Sequence, residues 1–141
     1  MAIIGITDAN VKLSDGGVTS SNTQVVTYGA TVTKMDILYS DSSDSNKYKP
    51  CDNSTAAAAQ AIGFALTQGG DGDQGIIIKS GAKVIFGGTL SPGETYYVSS
   101  TTGAIEPGTD LSSADYITQV GIALTTTELL VNIEVTGEQK P

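Results

Sequence analysis

Short runs that mix apolar residues with a few polar ones recur along most of the chain, and Gly, Pro and Asp punctuate the runs. Examples are Gln24 to Tyr28 and Met35 to Ser40. Runs of this kind, rich in Val, Ile, Thr and Tyr and bounded by turn residues, are typical of strands. Gly75 to Lys79 and Glu128 to Val135 are instead β-branched and continuous, which predicts strands in the middle of a sheet.

The sequence repeats itself at an offset of 58 positions. The matched positions include Val26 and Val84, Gly29 and Gly87, Thr31 and Thr89, and Tyr39 and Tyr97. The segments 62–67 and 120–125 share a signature that places Gly and Ala on one face and larger apolar residues on the other, which predicts close packing on the small face. The repeat predicts two related halves, about 20–78 and 79–136, too few copies for a solenoid.

Each half predicts the same succession of elements. A strand at 24–28 or 83–86 leads into a turn at Gly29 or Gly87, where glycine is expected to serve backbone geometry. A hairpin follows, which returns through 47–49 or 104–106. We expect the acidic loop 41–46 to be longer than the turn 99–103, exposed and mobile.

These patterns predict an all-β fold, a small β-barrel or a β-tulip or sandwich-like domain with two pseudo-repeated halves and little helix. The run Ala56 to Ala59 is too short to form a stable helix alone. Residues 1–20 fit the repeat less well and are expected to be an extended N-terminal arm before a single β domain at 21–141, although Ile4 to Ile6 lie 58 positions before Ile62 to Phe64. A chain of 141 residues can bury a core without staples.

Net charge and the length of the apolar runs limit the classes of partner that we expect for this protein. Seven Lys, no Arg and fifteen acidic residues give a net charge of −8, which disfavours nucleic acid and anionic membrane surfaces. No apolar run approaches the ~20 residues of a membrane span, and the N-terminus lacks the features of a signal peptide. The single Cys51 excludes an internal disulfide.

Candidate chemistry is sparse, and we predict no catalytic, cofactor-binding or metal-binding residues. The chain has no His, which removes the commonest general base and the imidazole metal sites. Asp52 should raise the pKa of the neighbouring Cys51, where a nucleophile needs a lower one. The Gly-rich stretch 69–75 lacks the order of a phosphate-binding loop and the chain has no Arg to clamp phosphate.

Two pairs of carboxylates leave alternatives open. Asp71 with Asp73, and Asp41 with Asp44, could hold a divalent ion or be solvated acidic loops, and the second interpretation is favoured because further ligands are missing. A carboxylate-dependent glycosidase or calcium-assisted hydrolase is the least supported function.

Tyr96 and Tyr97 are neighbours on one predicted strand, so their rings should lie on opposite faces. One should pack inward and the other should face solvent, a partner or a sugar.

Three segments carry a resemblance to a known family, namely Ala61 to Thr67, Gly87 to Ser99 and Tyr116 to Thr125. They resemble bacteriophage capsid decoration (cement) proteins, and the resemblance covers residues 60–135 best. It implies a structural virion protein that forms a homotrimer on the outer capsid surface, binds the major capsid protein and stabilises the shell. Similar strings occur in phage tail-fibre and tailspike modules, so the alternative is a tail appendage that binds a host receptor or glycan.

Overall fold

The computed structural model describes residues 22–141, which form ten β-strands in two antiparallel sheets. Two single 3-10 turns, Ser42–Asp44 and Gly108–Asp110, are the helical elements of this part of the chain. The strands are β1 (Thr23–Thr27), β2 (Ile37–Asp41), β3 (Lys47–Pro50), β4 (Gly63–Ala65), β5 (Gln74–Ile78), β6 (Lys83–Ile85), β7 (Thr95–Val98), β8 (Ile105–Pro107), β9 (Tyr116–Ala123) and β10 (Glu128–Gln139).

The two sheets have the same strand order. The first is β1-β5-β4-β2-β3 and the second is β6-β10-β9-β7-β8, so each strand of one half has a counterpart at the same place in the other. The predicted all-β fold with two related halves is therefore confirmed. β5 and β10 have a neighbour on each side, as their continuous apolar sequences predicted.

The first sheet curls until its two edge strands meet. Five strands that alternate in direction leave the first and fifth pointing the same way, so closure requires a parallel contact. Tyr28, at the end of β1, forms such a parallel bridge with Tyr48 of β3, and the Gly29 N–H donates to the Tyr48 carbonyl at 2.9 Å. The first half is thus a small barrel closed at one end.

The second sheet has a longer final hairpin. β9 and β10 extend over eight and twelve residues, whereas β4 and β5 extend over three and five. β9 begins at Tyr116, four positions before the predicted start at Val120. The prediction followed the repeated signature and missed the alternating segment before it, which has no counterpart strand in the first half.

The core consists of two apolar clusters on opposite faces of the first sheet. One lies inside the curled sheet and comprises Val26, Tyr28, Val32, Leu38, Ala65 and Ile77. The other continues from Ile37, Phe64 and Ile78 into the second half, where it includes Val84, Leu90, Tyr96, Val98, Val120, Ala123, Leu129 and Val131. The second half therefore covers the outer face of the first sheet.

A polar seam reinforces this contact between the halves. Asn53 is fully buried. Its side-chain Nδ2 donates to the Val98 carbonyl at 3.0 Å, and its backbone carbonyl accepts from the Tyr116 N–H at 2.9 Å. The buried Thr118 hydroxyl donates to the Ala59 carbonyl at 2.6 Å. The additional residues of β9 thus bind the segment that follows β3. Within that segment Ala56 to Ala59 form turns and no helix, as their short run predicted.

The glycine of the repeated signature has a steric reason. A Cβ at Gly63 would lie 2.6 Å from the Ile78 carbonyl oxygen, and one at Gly121 would lie 2.4 Å from that of Leu130. The predicted close packing is confirmed, and the group that packs against each glycine is the backbone of the neighbouring strand in the same sheet. At the predicted turns the halves differ, because a Cβ at Gly29 would meet Lys47 at 2.8 Å, whereas Gly87 faces open space.

The prediction of the relative lengths of the two hairpin loops was wrong. Five residues, 42–46, separate β2 from β3, and six, 99–104, separate β7 from β8, so the acidic loop is not the longer one. The difference between the loops is in charge.

The predicted arm at 1–20, with its boundary at 21, lies outside the described residues. Within residues 22–141, no helix is long and apolar enough to cross a membrane.

Candidate functional site

The acidic loops singled out from the sequence meet at one end of the first sheet. We call this region the loop end, and it comprises residues 29–32, 41–49 and 66–73. Backbone hydrogen bonds join its parts: Val32 and Gly69 exchange N–H to carbonyl bonds of 2.8 and 3.0 Å, and the Gly72 N–H donates to the Tyr28 carbonyl at 2.8 Å. The closure of the sheet at Tyr28 therefore positions all three loops.

Lys49 lies between the two carboxylates of the first acidic loop. Its Nζ is 2.7 Å from an oxygen of Asp41 and 3.1 Å from one of Asp44. Asp41 also accepts hydrogen bonds from the backbone and hydroxyl of Ser43, at 3.0 and 2.6 Å. The loop is exposed, as predicted, but it carries an internal network that the prediction of a mobile loop did not include.

This network shifts the acid–base behaviour of its members. Hydrogen bonds from Lys49 and then from Ser43 stabilise the charged carboxylate and lower the pKa of Asp41 from 3.8 to about 2. The same contacts with Asp41 and Asp44 raise the pKa of Lys49. Asp41 and Lys49 are thus charged at neutral pH, and the ammonium lies where a divalent cation would have to bind.

The second acidic loop has its own partners. Asp71 pairs with Lys47 at 3.2 Å, which joins this loop to β3. Asp73 accepts a hydrogen bond of 2.8 Å from the Gly70 N–H, which fixes the turn before β5. Among residues 22–141, no three Cys, His, Asp or Glu side chains are grouped as a metal ion would require.

The loop end also carries a shallow groove of about 320 Å³. Its walls are Thr31, Val32, Thr33, Gln68, Gly69 and Gly70. This lining combines apolar surface with hydroxyl, amide and backbone groups, and none of its six residues is charged. The groove is suited to contact with another surface more than to chemistry on a small molecule.

Cys51 is fully buried in the cluster between the halves. Burial is the main cause that raises the pKa of its thiol, and the neighbouring Asp52 adds to the effect. The direction expected from Asp52 is therefore right, although desolvation contributes more. A buried thiol with a raised pKa is a poor nucleophile.

Tyr96 and Tyr97 lie on opposite faces of β7, as predicted. Tyr96 is buried in the cluster between the halves, and its hydroxyl accepts a hydrogen bond of 2.9 Å from the Ser91 N–H. Tyr97 is half-buried beside Gly108. Tyr97 is therefore the one of the two whose ring is accessible to a partner.

Asp36 is a polar group that the sequence-based reasoning did not single out. Its carboxylate packs against Gly103, so closely that a Cβ on this glycine would lie 2.8 Å from it. The carboxylate also accepts a hydrogen bond of 2.9 Å from the Thr33 N–H. Burial raises its pKa, and the hydrogen bond from Thr33 opposes that shift. The neighbouring Gly103 comes from the other half, so no local pattern could have indicated this contact.

No family model matches this chain, and no curated protein matches it.

Proposed function

We propose that this protein is a capsid decoration protein of a bacteriophage, which binds the outer surface of the shell and stabilises it. The observation that carries the proposal is the duplicated β fold formed by the segments that resemble cement proteins. Their shared residues act in folding: Gly63 and Gly121 admit a neighbouring carbonyl, and Tyr96 fills the core. A sequence shared for such reasons is consistent with a structural protein.

The surface supports a binding role. A net charge of −8 disfavours adhesion to the packaged genome. The loop end offers a shallow uncharged groove and, outside that groove, the ion pair of Lys47 with Asp71. Many copies on one shell gain strength from simultaneous weak contacts. In this proposal the partners are the major capsid protein and further copies of the chain in a homotrimer, the location is the virion surface, and no cofactor or catalysis is involved.

Co-sedimentation with undecorated capsids tests the proposal. We expect saturable binding and a higher temperature of shell disruption. Thr31→Arg places a bulky charge in the groove, and Thr102→Arg places the same charge on the exposed β7–β8 turn as a matched control. If the groove contacts the shell, only the first variant binds weakly. Wild-type protein left in the supernatant at every ratio would contradict the capsid role.

A tail-appendage module is the second candidate, and the accessible ring of Tyr97 is the observation that favours it. Tyrosine rings stack on sugars and also form protein contacts. Binding of the purified protein to host cells or glycans, lost in Tyr97→Ala and accompanied by no binding to capsids, would establish this alternative. Capsid binding that is unaffected by Tyr97→Ala would exclude it.

A further inference from the structure

Two tyrosines at matching positions of the repeat have cross-strand partners of opposite charge. Tyr39 of β2 lies opposite Lys49 of β3, and Tyr97 of β7 lies opposite Glu106 of β8. Side chains of directly opposite residues lie on the same face of a sheet, with Cβ atoms about 5 Å apart. Each tyrosine ring therefore has a charged neighbour, a cation in the first half and an anion in the second.

The two charges are balanced differently. In the first half the Lys49 ammonium pairs with two carboxylates. In the second half Glu106 forms no salt bridge with any of residues 22–141. Its Oε1 accepts a hydrogen bond of 2.7 Å from the Ser99 hydroxyl, and its Oε2 is shielded from water and has no hydrogen-bond partner in this part of the chain. An unpaired acceptor is unfavourable there, and its charge is weakly screened.

Neither lysine of the second half pairs with this carboxylate. Residues 80–141 contain seven acidic residues and two lysines. Lys83 lies on β6, at the opposite edge of the sheet from β8, and the Lys140 ammonium donates to the Leu111 carbonyl at 2.7 Å. The second half thus has a surplus of negative charge. The chain contains no Arg, so a second copy cannot supply a guanidinium either.

The partly exposed ring of Tyr97 lies beside the unpaired carboxylate. The ring leans over the end of β8, where a Cβ on Gly108 would lie 3.0 Å from it. On its other side, β9 places Gln119 opposite Tyr97. The Gln119 Nε2 donates to the Asn132 carbonyl at 3.0 Å, which leaves the amide oxygen to accept a hydrogen bond. The aromatic ring is therefore flanked by a carboxylate and an amide oxygen.

We propose that Tyr97, Glu106 and Gln119 form a recognition site for an arginine side chain of a partner protein. A guanidinium is planar, stacks on aromatic rings and presents several N–H donors in a fork. It would lie on the exposed part of the ring, close to the weakly screened carboxylate, and donate to the amide oxygen. In the first half the cation beside the matching tyrosine belongs to the protein, whereas in the second half the partner supplies it.

This site is separate from the one named in the capsid proposal, because the loop end belongs to the first half. A neutral sugar could stack on the same ring, but it would leave the charge of Glu106 without a counterion. The unpaired charge therefore favours a partner that carries arginine.

An NMR titration of the whole protein with N-acetyl-arginine methylamide tests the site. The matched probe is N-acetyl-citrulline methylamide, which has nearly the same shape and no charge. We expect the arginine derivative to shift the backbone amide signals of Tyr97, Glu106 and Gln119, and the citrulline derivative to bind at least tenfold more weakly. The lysine derivative should also bind more weakly than the arginine derivative, because an ammonium lacks the planar fork.

Glu106→Gln should weaken binding of the arginine derivative at least fivefold. Glu138→Gln, which removes the same charge from an exposed position on β10, should leave it unchanged. Tyr97→Leu should abolish the shifts, and Tyr97→Phe, which keeps the ring, should retain them. If Tyr97→Leu does not fold, the two glutamate variants still decide the test.

Equal affinities of Glu106→Gln and Glu138→Gln, or equal binding of the charged and uncharged derivatives, would overturn the proposal. Shifts of the same signals by a methyl glycoside, with none by the arginine derivative, would overturn it in favour of sugar binding. The titration contains no capsids, so its failure is distinguishable from a failure to bind the shell.

Discussion

The two halves share a strand order but fill and close their sheets differently. In the first half the edges meet at Tyr28 and Tyr48, and Lys49 binds Asp41 and Asp44 across the same end. Within the described residues no bridge joins the matching positions Phe86 and Glu106, so the second sheet stays open. The longer β9 instead forms hydrogen bonds with the first half, from Tyr116 to Asn53 and from Thr118 to Ala59. The two halves have kept the same strand order, but only the first sheet closes on itself, and the second half provides the contacts that hold the halves together.

One pair of positions explains much of the difference. Val26 pairs with Gly75 in the first half, and the matching Val84 pairs with Leu129 in the second. Without a side chain at Gly75, the ring of Tyr28 lies against the strand. In the second half the residue that faces Val84 has a side chain, Leu129, and Phe86 meets Phe64 edge to face, with ring centroids 5.4 Å apart. A ring inside the first sheet thus corresponds to a ring between the halves.

Gly75→Ala should have the largest effect on this comparison. A Cβ there would lie 2.1 Å from the ring of Tyr28, so Tyr28 must move and the closure must open. Overpacking of this kind costs about 3 kcal/mol, which urea denaturation would measure. Gly70→Ala is the control, because its Cβ has no neighbour closer than 3.8 Å. Equal losses in the two variants would show that the ring does not depend on Gly75.

Asn53→Ala should weaken the seam between the halves by about 2 kcal/mol, because the Val98 carbonyl loses its donor in a buried place. The matching residue of the second half is Leu111, so this contact is present only once. The free energy of unfolding by urea measures the loss. Gln60→Ala, an exposed change in the same segment, should cost less than about 0.5 kcal/mol. An Asn53→Ala protein as stable as that control would mean that this side-chain hydrogen bond does not contribute to the cohesion of the halves.

Tyr28→Phe makes the first half resemble the second at this position. The Tyr28 hydroxyl donates to the Thr67 carbonyl at 2.7 Å, and its loss should cost about 1 kcal/mol while the ring stays in place. Thermal unfolding compared with Tyr97→Phe, a half-exposed tyrosine, measures the difference. If both variants unfold alike, the hydroxyl does not contribute to closure.

The charged closure predicts a specific response to acid. Because the pKa of Asp41 falls from 3.8 to about 2 on folding, its contribution is complete above pH 4 and is lost as the pH falls toward 2. Lys49→Met removes the main cause, so stability should fall less steeply between pH 4 and 2. Thermal midpoints across this range measure it. Lys79→Met, whose ammonium binds the neutral Gln24 amide, should keep the wild-type slope.

The strand order of the halves followed from local signals, whereas their differences did not. Apolar runs bounded by turn residues and the offset of 58 positions located all ten strands, since both signals are read directly from the order of residues in the chain. The contact of Tyr28 with Tyr48 and the hydrogen bond from Asn53 to Val98 join positions 20 and 45 residues apart. Their sequences show only a tyrosine and an asparagine. For the same reason the sequence showed the acidic loops but not the lysines that neutralise them.

A matched turn gives the smallest and only stabilising change. Met35 has φ +72°, and Gly93 at the corresponding position has φ +85°. Both turns close with a 3.0 Å bond, from the Asp36 N–H to Thr33 and from the Glu94 N–H to Ser91. The second half has Pro92 before the glycine, as such turns favour, and the first has Lys34. Lys34→Pro should therefore stabilise by about 0.5–1 kcal/mol by restricting the unfolded chain. Thermal unfolding measures the gain, and a loss would show that the two turns differ in backbone shape despite their shared hydrogen bond.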